Sequence, residues 1–136
     1  MATQANAAIL LVEDDEFLRV VTMAMLRAMG YANIRAAVNG EEAVKACSEA
    51  TFDLILMDCD MPVLNGLDAT RQIRALGVGT PVLAYTASVT PANKSRCTDA
   101  GMDDFLAKPA HAGQLAMKLQ RWLTVSRRER RHSGGL

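Results

Sequence analysis

Five short apolar runs, each followed by a stretch with helical spacing, constrain this chain more than any other feature. They lie near Ile9–Val12, Ile34–Val38, Leu54–Met57, Val82–Thr86 and Phe105–Lys108. Short apolar runs bounded by turn residues suit strands covered on both faces. Strict β-α alternation of five units implies a parallel, doubly wound sheet, because each right-handed crossover lays its helix on one face. The predicted fold class is α/β: a single (βα)5 domain, a five-stranded parallel sheet with helices on both faces.

The intervening stretches carry helix punctuation. Phe17, Val20, Val21, Ala24, Met25 and Ala28 recur at helical spacing, and Gly30 follows as a stop. Asn39-Gly40-Glu41-Glu42 starts a second helix with a cap and early acids, Leu67 to Leu76 forms a third before Gly77, and Thr90-Pro91 opens a fourth. The fifth carries Leu115, Leu119, Trp122 and Leu123 on one stripe. The fourth, Ala92 to Asp99, has few large apolar groups and is expected to pack least firmly.

A chain of 136 residues, half of them hydrophobic, fits one domain with a sizeable core. Residues 7–125 are read as that domain, residues 1–6 as an N-terminal extension, and residues 126–136 as a basic, solvated, flexible tail. The 15 basic and 15 acidic side chains balance overall, but Arg127, Arg128, Arg130 and Arg131 leave the body mildly acidic. That tail lacks interleaved aromatics, so nucleic-acid binding is not the expected role. Cys47, Cys59 and Cys97 form no metal-binding spacing and are odd in number, which favours a reducing cytoplasm. The apolar run Ala7 to Val12 is cut off by four acids, too soon for a signal or transmembrane segment.

The chemistry gathers at the strand ends. Leu54–Met57 stops at Asp58 and passes into a Pro62/Gly66 loop, which reads as one carboxylate presented at a sheet edge rather than buried. Glu13-Asp14 follows the first strand, Thr86 ends the fourth and Lys108 the fifth. In a sheet ordered 2-1-3-4-5, an order taken from known doubly wound folds, the first and third strands are neighbours and their acids converge. Clustered carboxylates repel unless a hard cation such as Mg²⁺ joins them. Lys108 can pair with a carboxylate or a phosphoryl oxygen, and Thr86 can donate to another. This set suits phosphoryl transfer onto Asp58.

Four ordered motifs carry a resemblance over residues 7 to 125: Leu-Leu-Val-Glu13-Asp14-Asp15, Asp53 through Gly66, Thr86-Ala87, and Asp104-Phe105-Leu-Ala-Lys108-Pro109. The chain resembles the receiver domains of two-component response regulators, stand-alone CheY-like ones and those of hybrid sensor kinases and phosphorelays. The resemblance implies the CheY- and flavodoxin-like fold, with Asp58 accepting the phosphoryl group of a phosphohistidine. It implies Mg²⁺ ligation by Asp14, Asp58 and the Asp60 backbone carbonyl, with Glu13 acting through water, and a cis Lys108-Pro109 bond. Thr86 and Lys108 would meet the phosphoryl group, and Thr86 and Phe105 would form the switch. Partners implied are a sensor histidine kinase or a histidine phosphotransfer protein, and an output protein on the face around Phe105. The switch aromatic is Phe rather than the common Tyr, so ring rotation remains but a phenolic hydrogen bond does not. Asn65 replaces a common Asp.

Plainer readings stand beside these. Asp15 and Glu16 are read as capping the first helix, Asp53 as a turn or strand-entry residue, and Tyr85 as a half-buried strand residue. Cys59 is read as a small buried hydrophobe for which no regulatory oxidation is expected. Asp58-x-Asp60 also resembles the nucleophile motif of haloacid-dehalogenase-type phosphatases, the alternative function. A flavin-binding protein is set aside, because four acids after the first strand would repel its phosphate.

Overall fold

The computed structural model describes residues 6–61 and 63–134, with side chains to Thr124. Residues 1–5 of the N-terminal extension, Pro62, and residues 135 and 136 lie outside the described residues. The strands are β1 (Ile9–Val12), β2 (Ile34–Ala37), β3 (Leu54–Asp58), β4 (Val82–Thr86) and β5 (Asp104–Ala107). The helices are α1 (Glu16–Ala28), α2 (Gly40–Glu49), α3 (Gly66–Ala75), α4 (Pro91–Ala100) and α5 (Ala112–Gly134). The strands pair in parallel in the order β2-β1-β3-β4-β5, as expected.

The continuous apolar runs divide between the two faces with the strand period of two. Ile9, Leu11, Leu54, Leu56, Leu83 and Tyr85 face Leu26 of α1 and Leu115, Leu119 and Leu123 of α5. Leu10, Val12, Ile55, Met57, Val82 and Ala84 pack with residues of α2, α3 and α4, including Ala43, Ala46, Ala69, Ile73 and Cys97.

Each of the first four helices begins directly after a loop with a side-chain cap. Asp15, Asn39, Asn65 and Thr90 accept the backbone N–H of Leu18, Glu42, Asp68 and Asn93. Such caps contribute about 1 kcal/mol apiece. Asp15 is thus a capping residue, as read from its position.

Two features were not visible in the sequence. Of the six residues whose spacing marked α1, Phe17, Val20, Val21, Ala24 and Ala28 are exposed. The helix buries Thr22 and Leu26, with Leu18, Met25 and Met29 half-buried. Apolar residues surround α1 on several sides, so spacing identified the helix while packing on the sheet chose the stripe. Regular structure also does not end at Val125: α5 runs to Gly134, through most of the segment read as a tail. No Gly or Pro interrupts residues 114–133, and Arg, Glu, Leu and Lys favour helix there. Among the described residues, no helix is long and apolar enough to cross a membrane.

Candidate functional site

Register builds the site. β1 and β3 pair from Ile9↔Leu54 to Val12↔Met57, so Glu13 and Asp58, the next residues along, stand side by side. Asp58 lies opposite Tyr85, and Thr86 opposite Ala107, which brings Lys108 to the same rim. The Lys108 backbone N–H donates to the Thr86 carbonyl at 2.8 Å, holding the two strand ends together. The Lys108-Pro109 bond is cis, as the resemblance implies.

Carboxylate oxygens of Glu13, Asp14 and Asp58 lie within 4.8 Å of one another. The Lys108 ammonium stands 2.8 Å from Glu13 Oε1 and 3.2 Å from Asp58 Oδ1. The Asp60 N–H donates to Asp58 Oδ1 at 3.1 Å, and the Asp15 N–H to Glu13 Oε2 at 3.1 Å. Asp58 is only 3% exposed and Glu13 1%, whereas Asp14 is exposed. The expectation that Asp58 is presented rather than buried is therefore corrected. Lys108, the acids of β1 and the returning β3–α3 loop close over it. That loop comes so near that a Cβ on Gly66 would overlap the Asp58 carbonyl oxygen, while the Gly66 N–H donates to Cys59 O at 3.1 Å.

One ammonium pairs with two of the three clustered carboxylates, and the imbalance shows in the acidities. Burial foremost, then hydrogen bonding to Glu13 and Asp14 and repulsion by Glu13, push the Asp58 carboxyl up to about 7, against the pull of Lys108. Burial works to lower the Lys108 ammonium, but its contacts with Glu13 and Asp58 prevail and raise it. Glu13 Oε1 is buried without a hydrogen bond. Its contact with Lys108 is an ion pair by distance only. An all-oxygen set of three clustered acids with a single ammonium against it fits a hard divalent cation.

The structure thus brings Glu13, Asp14, Asp58 and Lys108 together. Asp60 joins through its amide, with its side chain exposed. Buried Thr86 lies at the next strand end, its Oγ1 accepting the Ser88 N–H at 3.2 Å. Phe105 stands apart from the acids, half-buried, with the Lys94 ammonium 5.9 Å from its ring centroid. It lines a shallow groove of about 440 Å³ with Val89, Lys94, Met117, Lys118 and Arg121. Asp53 sits at the start of its strand, accepting the Ala8 N–H at 2.8 Å.

Sequence reading missed two supports. Tyr85 lies under Lys108, with the ammonium 5.2 Å from its ring centroid, and its hydroxyl accepts the Ala110 N–H at 3.2 Å. Its place one residue before Thr86 was the available signal. Cys97 touches Cys59 across 38 residues of sequence, with no local signal at all. The phosphatase reading gains nothing here: Asp58-x-Asp60 begins at the end of β3, after acids that already follow β1, and the Asp60 side chain is exposed.

Comparisons with known proteins agree with this geometry. The family profile described as response regulator receiver domain matches residues 9–120. Two-component response regulator ORR41 of Oryza sativa subsp. japonica is 43% identical over 117 residues, covering 84% of this chain and 92% of its own. The receiver domain of sensor histidine kinase PA1611 from Pseudomonas aeruginosa PAO1, solved with a magnesium ion coordinated in its active-site cleft, is 42% identical. It superimposes with a TM-score of 0.81 over 88% of this chain and 98% of its own. The co-crystal structure of the Saccharomyces cerevisiae phosphotransfer protein Ypd1 with the receiver domain of Ssk1 gives 29% identity and a TM-score of 0.81. The match covers 86% of this chain and 88% of that one. Other relatives are sensor or histidine kinases of which this chain spans from 3% to 17% of the length.

Proposed function

The chain belongs to the response regulator receiver domains of two-component systems, and on that footing we propose that Asp58 accepts a phosphoryl group from a phosphohistidine in a Mg²⁺-dependent reaction. The observation that carries this reading is the cluster of three carboxylates, two of them paired with Lys108, at the ends of β1, β3 and β5.

Asp14, Asp58 and the Asp60 backbone carbonyl would hold Mg²⁺, with Glu13 acting through water. Bound there, the ion supplies positive charge against the clustered acids and the incoming phosphoryl oxygens. An Asp58 carboxylate oxygen forms the new P–O bond as the P–N bond to the donor imidazole breaks. Lys108 turns from its carboxylates to a phosphoryl oxygen, and the Thr86 hydroxyl donates to another. Movement of Thr86 opens space for the Phe105 ring and biases the surface of α4, β5 and α5 between two states.

Residues 7–125 form the receiver, and the segments 1–6 and 126–136 flank it. It works on its own acceptor rather than on a turnover substrate. The phosphoryl donor is a sensor histidine kinase or a histidine phosphotransfer protein, a reading supported by the similarity to a receiver solved with Ypd1. Output goes to a protein partner on the Phe105 face or onward along a relay. Three free, buried cysteines suit the cytoplasm.

Incubation with acetyl phosphate and Mg²⁺, read by intact mass, tests the assignment. Wild type gains one hydroxylamine-sensitive phosphoryl group, Asp58→Asn gains none, and chelation abolishes labelling. Equal labelling of wild type and Asp58→Asn would sink it.

A further inference from the structure

Cys59 Sγ lies 3.7 Å from Cys97 Sγ, van der Waals contact for two sulfurs, and both thiols are buried. Cys59 directly follows Asp58 at the end of β3. Cys97 is one of two buried residues of α4, the other being Ala100. Taken along the chain, Cys59 is an isolated thiol with no expected oxidation; its contact with Cys97 is visible only in the fold.

We propose that Cys59 and Cys97 form a redox modification site, which hydrogen peroxide converts to an intramolecular disulfide tying α4 to the residue beside Asp58. One sulfur takes an oxygen from peroxide as the O–O bond breaks, giving a sulfenic acid and one water. The second sulfur then displaces that hydroxyl, which leaves with the thiol proton as a second water. Two thiols lose two electrons, and one peroxide accepts them.

Geometry and packing both serve this step. The sulfurs close from 3.7 Å to a bond of about 2.05 Å, and α4, anchored by two small buried side chains, is the element that moves in the proposed step. Buried against each other, the two thiols are shielded from peroxide, and oxidation follows the opening of α4. Once formed, the bond fixes the helix that begins just beyond the Thr86 loop.

The full chain is treated with hydrogen peroxide, alkylated under denaturing conditions, digested and mapped by mass. Wild type yields a Cys59 peptide joined to a Cys97 peptide, and dithiothreitol releases it. Cys47→Ser retains the link, and Cys97→Ser loses it. Hydrogen exchange at the α4 amides slows about tenfold or more on oxidation of wild type and recovers on reduction. A link through Cys47, links between chains, sulfinic acids without a link, or unchanged α4 exchange would each overturn the proposal. The wild-type map decides the chemistry even if a serine variant folds poorly.

Discussion

Gly66 shows how much one missing side chain can hold in place. Its backbone lies against the Asp58 carbonyl, and any Cβ would enter occupied space. Gly66→Ala is expected to cost about 1–3 kcal/mol through overpacking and to slow phosphorylation by displacing the acceptor strand end. Gly113, near the start of α5, has nothing within 4 Å of an added Cβ. Gly113→Ala is expected to be stabilising by about 0.4–1 kcal/mol. Urea midpoints compare the two; equal effects would show that the contact at Gly66 carries no weight. Sequence already marked Gly66 as a loop residue, but not the contact that requires it. Asp58 shows the same gap, since the end of an apolar run fixes where a carboxylate stands and not how many neighbours close over it.

At the scale of elements, β5 is fastened to α5 through Asp104. Both of its oxygens accept from the Lys118 ammonium, at 2.8 and 2.9 Å, and Oδ2 also accepts from the Trp122 indole N–H at 2.7 Å. Burial works to raise its carboxyl, but Lys118, Trp122 and the Phe105 amide outweigh this and hold it below the usual range. A lowered folded value means that the stabilisation is present above the unfolded value of about 3.9 and is lost as pH falls through the folded one. Asp104→Asn is expected to cost about 1.5–3 kcal/mol at neutral pH, a gap that narrows below about pH 4. Denaturation midpoints at both pH values check this; a gap independent of pH would exclude the charge. Strands and caps were the most readable elements, because β-α alternation, Asn39 and Thr90-Pro91 each act locally. The buried stripe of α1 was not, because which side of an apolar-rich helix meets the sheet is decided by residues far along the chain.

For the molecule as a whole, stability rests on the layers flanking the sheet, not on the length of α5. Removing residues 126–136 should lower helical content by circular dichroism yet cost less than Leu119→Ala. That substitution hollows a fully buried position and is expected to cost about 2–5 kcal/mol. The reverse ranking would make the distal helix part of the folding unit. The candidate site was readable as ordered motifs at strand ends because a parallel sheet gathers its carboxyl ends on one rim. Tyr85 under Lys108 and Cys97 against Cys59 were not, since side-chain meetings across layers leave no periodic trace. Thr86 carries a last consequence. Its hydroxyl oxygen accepts the Ser88 N–H, and the proposed inward movement of Thr86 gives up that bond. A net loss of about 1 kcal/mol is a roughly fivefold bias in the ratio of two conformers. On the proposed switch the Ser88 backbone N–H is a latch on the resting state, one that any residue but proline at position 88 supplies.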